Sequence, residues 1–216
     1  MVDAVNGDKL SRIRDPHVAP LNELVATWRR DHAMVPWFDP DDGGVRARLL
    51  ILMESPAPRT MRAGGSGFCS GDNPDPSNRL LSSLRGTHGP PRSDCLKWNI
   101  VPWAVLDDAG GARSPSALEL AEGGAMLHDV LSRATDVEVV LTLGRPALAG
   151  YMGYLTAEPG RRLLPVVAAP HPSQRNARGR DDAVRRIETA FTAVSTHLRA
   201  HSRQTASSHR DDRNRP

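Results

Sequence analysis

Four short apolar runs, each closed by a polar turn containing proline or glycine, organise the chain: residues 48–53, 95–103, 137–143 and 163–168. Continuous apolar runs, rather than alternating ones, predict strands covered on both faces, as in a parallel sheet. Between them apolar positions recur at helical spacing. Leu21, Leu24, Val25 and Trp28 mark a helix over 21–30, and Leu118, Leu120, Ala121, Met126, Leu127, Val130 and Leu131 mark a longer one over 114–133, with Ser114 as cap and Pro115 in its first turn. Further helices are predicted from residue 77, capped between Asp75 and Ser77, from Gly144-Arg145-Pro146 to about residue 151, and over 181–197. Strands alternating with helices predict an α/β fold, a three-layer α/β/α sandwich around a central, mainly parallel four-stranded sheet. Residues 34–40 break the first helix, and 64–77, rich in Gly, Pro, Asp and Asn, read as a long irregular loop with a functional role. One domain over 1–201 and a disordered polar tail over 202–216 complete the expected organisation.

Composition narrows the function classes. Two cysteines, Cys69 and Cys95, are too few for a four-thiolate metal or iron–sulfur site or for a disulfide framework, so a reducing, cytoplasmic setting without metal or cofactor is expected. No run is long enough to span a bilayer, and the first residues lack the basic and apolar regions of a secretory signal. Of 28 basic side chains only Lys9 and Lys97 are lysines. A G- and C-rich coding bias explains most of that, but not the placement of ten arginines against five acids from Arg175 onward. A positive C-terminal third suits a polyanionic partner.

The strand ends carry the candidate chemistry. The last run closes in Ala169-Pro170-His171-Pro172-Ser173, so the imidazole is aimed off the carboxyl edge of the sheet, where α/β proteins keep ligands. The first run closes in Met53-Glu54-Ser55-Pro56-Ala57, the second carries Asn99, and the third ends in Leu143-Gly144. Phe68 follows in the glycine-rich loop, with too little apolar company for a core role to explain it well. Asn99 fits a strand-end backbone bond as readily as a ligand, and Arg175 is by default a solvated charge.

In order, spacing and strand-end placement this set resembles the uracil-DNA glycosylase superfamily over residues 48–176 or so. The resemblance implies a DNA glycosylase hydrolysing the N-glycosidic bond of a flipped, deaminated base, uracil first and hypoxanthine or xanthine next, in base excision repair. Such a reaction leaves an anionic base and a sugar of oxocarbenium character, so the site must stabilise negative charge and present a water to C1′. His171 can donate to the developing charge on a base carbonyl, and the amides around Pro56 and Ala57 can hold a second oxygen and the water. Asn99 offers a donor and an acceptor side by side to a pyrimidine edge, and Phe68 can stack on the extruded base. Ser173, Gln174, Arg175 and Asn176 stand where the family places its wedge into the base stack, with Gly144 and Arg145 beside the DNA.

Two positions depart from the family pattern. Met53 replaces a glycine, and Ser55 stands where the fastest uracil enzymes carry an activating aspartate, so any activating carboxylate would come instead from Glu54, Asp72 or Asp75. Glu54 matches branches that also bind an iron–sulfur cluster, which two cysteines cannot build. A monofunctional, monomeric enzyme acting on DNA is the first expectation, and a catalytically silent DNA- or lesion-binding protein of the same fold is the alternative. A small-molecule hydrolase lacks its nucleophile-elbow serine, and Gly64-Gly65-Ser66-Gly67 neither follows a strand directly nor enters a helix, as a dinucleotide fingerprint would.

Overall fold

The computed structural model describes residues 2–32, 34–173 and 180–213. In chain order it contains α1 (Val2–Ser11), α2 (Ala19–Trp28), β1 (Trp37–Phe38), β2 (Leu49–Met53), α3 (Pro58–Met61), β3 (Phe68–Cys69), α4 (Pro76–His88), β4 (Cys95–Asn99), α5 (Ala117–Arg133), β5 (Val139–Leu143), α6 (Arg145–Ala157), β6 (Val166–Ala169) and α7 (Arg180–Arg213). The main sheet has the order β4-β2-β5-β6, every pair parallel. Among the described residues no helix is long and apolar enough to cross a membrane.

Strand alternation divides the core into two layers. Leu50 and Leu52 of β2, with Leu96, Trp98 and Val140, pack against α2, α5 and α6. Leu49, Ile51 and Met53, with Cys95, Val139, Leu141 and Leu143, pack against α4 and α7. The continuous apolar runs therefore arise because both sheet faces are covered, and the expected three-layer sandwich is what forms. Helix α5 starts at Ala117 rather than near Ser114, because Ser116 and Glu119 form a reciprocal capping box. The apolar run 95–103 leaves the sheet after Asn99, where the amides of Ile100 and Val101 donate instead to the carbonyls of Met53 and Glu54.

Three features differ from the sequence expectation. The loop over 64–77 contains β3, which pairs in parallel with β1, Trp37 opposite Phe68 and Phe38 opposite Cys69. A two-residue ladder is too short to leave an alternating pattern, and its main-chain bonds hold it. The N-terminal residues form α1, and α7 continues to Arg213 through the stretch expected to be an irregular tail.

A buried ion cluster fixes α1 and the β1–β3 pair to the sheet. Lys9 of α1, 3 % exposed, places its Nζ 2.6 Å from Asp39, 3.1 Å from Asp41 and 2.6 Å from Asp72. Arg92 bonds Asp39, Asp42 and Asp72. Burial alone would lower the Lys9 pKa, but its bonds to Asp39 and Asp72 outweigh that and raise it. Asp42 goes the other way: burial and the neighbouring Asp39 charge push its carboxyl from 3.8 to about 6 despite Arg92.

Between pH 4 and 6, roughly, the folded protein therefore holds a proton at Asp42 that the unfolded chain has released. The stability contributed by that site is full below its unfolded pKa and is lost as pH rises through the folded one. Asp42→Asn removes this dependence. Urea unfolding at a series of pH values should show wild-type stability falling relative to the variant across that window, and a gap independent of pH would assign the proton elsewhere.

Candidate active site at the carboxyl edge

Because the four strands run parallel, their carboxyl ends lie along one edge, and that edge gathers the turn after β2, Asn99 at the end of β4, Gly144 after β5 and His171 after β6. Asn99 stands opposite Met53 in the ladder, so it flanks the first residue of the Glu54-Ser55-Pro56-Ala57 turn. The bonds from Ile100 and Val101 clamp this turn to the segment after Asn99. Ile100 is itself clamped by α5, where a side chain at Gly123 would lie 1.9 Å from the Ile100 carbonyl oxygen. Only glycine permits that approach, and it sets the height at which Asn99 emerges.

Asn99 is buried, and its Nδ2 donates to Cys69 Sγ at 3.4 Å. Burial pushes the Cys69 thiol up to about 11, so near neutral pH the sulfur is a neutral acceptor. The contact leaves the Asn99 Oδ1 and one N–H for a ligand. On the turn, Glu54, Ser55 and Ala57 are half-buried and Pro56 is buried. Among the described residues the amides of Ser55 and Ala57 donate to no group, which leaves two donors beside Asn99.

Gly144 has φ +95°, and a Cβ there would meet the Cβ of His171 at 3.2 Å. Its amide donates to the Ala169 carbonyl, so the turn after β5 is laid against the last residue of β6 and backs the half-buried His171. Arg145, exposed, opens α6, and Ser173 lies half-buried two residues beyond His171. Gln174, Arg175 and Asn176 lie outside the described residues.

Phe68 has 0 % exposure, contrary to the expectation that burial would explain it poorly. It packs in neither core layer but in the small β1–β3 sheet, and its ring is reached only when covering groups move. The three nearby carboxylates also separate. Asp75 caps α4 and bonds Asn78, while Asp72 is committed to Lys9 and Arg92, which outweigh its burial and hold its pKa below the usual range. Glu54 alone stays on the strand-end turn. Cys69 is the site residue that sequence reasoning missed, since nothing in the chain connects it to an asparagine 30 positions away.

A family model described as the uracil DNA glycosylase superfamily matches residues 40–194, well over half of the chain. No curated protein matches it. Glu54, Asn99, Gly144 and His171 all fall within the matched span, and with the parallel sheet that brings them to one edge the chain belongs to the uracil DNA glycosylase superfamily.

Proposed function

We propose that this protein is a monofunctional DNA glycosylase that removes a deaminated base flipped out of DNA, uracil first and hypoxanthine or xanthine next. The convergence of Asn99, the 54–57 turn and the Gly144-backed His171 on one sheet edge carries the proposal. Water adds to C1′ as the C1′–N bond breaks. The electron pair goes to the base, which leaves as an anion and takes up a proton. His171 donates to a carbonyl oxygen of that base, and the amides of Ser55 and Ala57 hold a second oxygen and the water.

The bond to Cys69 supports the choice of base. With one N–H engaged, Asn99 presents an adjacent donor and acceptor, which complement a C=O next to an N–H. Uracil, hypoxanthine and xanthine share that edge, whereas cytosine and adenine present an amino group beside an acceptor. Phe68 stacks on the extruded base after the segment covering it opens. Ser173, Gln174, Arg175, Asn176 and Arg145 grip the DNA, on which the protein acts as a monomer in the cytoplasm.

A DNA- or lesion-binding protein without chemistry is the second reading. It is favoured by Ser55 at the aspartate position and by the commitment of Asp72 to Lys9 and Arg92. The two separate in one assay: oligonucleotides carrying a single uracil, hypoxanthine or xanthine are incubated with protein and cleaved by alkali at abasic sites. Breaks at one modified base establish the glycosylase and name its substrate. Intact strands together with salt-sensitive binding establish the second reading.

In that assay His171→Ala should lower the rate of base release roughly 10²–10³-fold with DNA affinity little changed, as expected for one lost donor to a developing anion. Asn99→Asp replaces the donor by a second acceptor, so uracil release should fall and cytosine release should rise from background; unchanged selectivity assigns base reading elsewhere. Gly144→Ala places a Cβ against His171 on a backbone at φ +95°. It should cost about 1–3 kcal/mol in urea unfolding and slow base release, and wild-type behaviour in both would remove Gly144 from any part in setting His171.

A further inference from the structure

Both lysines of the chain, the only two among 28 basic side chains, are buried and converge on one residue. Lys9 Nζ donates to Ser70 Oγ at 3.1 Å, and Lys97 Nζ donates to the Ser70 carbonyl at 3.1 Å. A coding bias that fills other basic positions with arginine has left ammonium groups where a compact, tetrahedral charge is needed. Three carboxylate oxygens, from Asp39, Asp41 and Asp72, lie within 4.8 Å of one another, a spacing suited to a small cation, and Lys9 Nζ sits in contact with all three. A planar guanidinium cannot occupy such a point. Arg92 shares the Oδ2 atoms of Asp39 and Asp72 with Lys9 and also bonds Asp42 Oδ1.

Ser70 and Asp72 directly follow β3, which carries Phe68 and Cys69, and the amide of Asp72 donates back to Ser70 Oγ. The Asn73 side chain holds the Phe68 carbonyl, and Cys69 holds Asn99. Lys97 stands two residues before Asn99 on β4, on the same side of that strand. Lys9 comes from α1, which lies outside the span that matches the family. A line of bonded contacts therefore runs from an N-terminal helix outside the matched span to the base-reading asparagine.

We propose that Lys9 and Lys97 are positioning residues that act as a built-in cation clamp, gripping Ser70 from two sides so that the 68–72 segment holds Asn99 and Phe68 in register for base recognition. The role is specific to an ammonium group, and it makes α1 part of the base-selecting apparatus. The inference rests on the glycosylase reading for its consequence in catalysis, but the clamp itself is a statement about residues 68–72 that can be measured without turnover.

Lys9→Arg and Lys9→Met are compared with wild type at a temperature where urea unfolding shows all three fully folded. Amide hydrogen exchange at residues 68–72 should accelerate at least tenfold in both variants while β2 and β5 keep their protection. Base release should slow about tenfold in kcat with KM for DNA unchanged, and the ratio of uracil to cytosine release should fall. Wild-type exchange and selectivity in Lys9→Arg would overturn the clamp, as would a loss of rate that tracks only the folded fraction. Faster exchange in a protein whose wild type releases no base would support the clamp and overturn the glycosylase reading.

Discussion

The pairing of four aspartates with Lys9 and Arg92 is the constraint on which the outer half of this fold depends. Strand β4 is an edge strand, and an edge left open exposes unpaired backbone groups. Here the edge is covered by the segment at Asp42 and Gly43, whose contacts satisfy the Cys95 carbonyl and the Lys97 amide. That segment is acidic, so covering the edge takes carboxylates out of water, at a penalty of several kcal/mol per ion unless each finds a partner. The buried cations supply the partners. Removing one of them leaves an uncompensated charge, whereas the intact set fixes one geometry for α1, β1, β3 and β4 together.

That geometry matters because the chain reverses direction at β2. From β2 it crosses by α4 to β4 on one side, then returns by α5 over the opposite face to β5 on the other. Loops leaving neighbouring carboxyl ends in opposite directions open a crevice at such a point. The turn at Glu54 to Ala57 and Asn99 stand at the carboxyl ends of β2 and β4, and Gly144 and His171 at those of β5 and β6. Stacking of Phe38 on Trp98, with ring centroids 3.7 Å apart, anchors the covering β1–β3 pair beneath the same edge.

The strands and the strand-end residues were legible in the sequence because burial on both faces writes itself as continuous apolar runs, and each run stops at a candidate site residue or turn. His171 between two prolines and Gly144 after Leu143 are local signals of this kind. The ion cluster was not legible, since Lys9, Asp39 and Asp72 are 30 to 63 positions apart and each read alone is a solvated charge. The β1–β3 pair was hidden for a different reason: two residues of ladder carry no periodicity, so Phe68 passed for a loop residue when it is buried. The partners of Asp72 were hidden in the same way: its oxygens pair with Lys9 and Arg92, 63 and 20 positions away.

The commitment of Asp72 bears on how a glycosylase of this make-up would work. A general base contributes about 10²–10⁴-fold when it can take a proton from the attacking water. Asp72 is ionised, but Lys9 and Arg92 hold its pKa below the usual range, which makes it a weaker base as well as an occupied one. Asp75 is spent on the cap of α4 and on Asn78. With Ser55 carrying no carboxylate, proton transfer in the proposed reaction would rest on Glu54 or on bulk water, and most of its rate enhancement would come from stabilising the departing base. A site built this way favours bases that leave readily as anions with the charge spread over carbonyl oxygens. Deaminated bases meet that requirement, so under the proposed function weak water activation and a preference for deaminated bases go together.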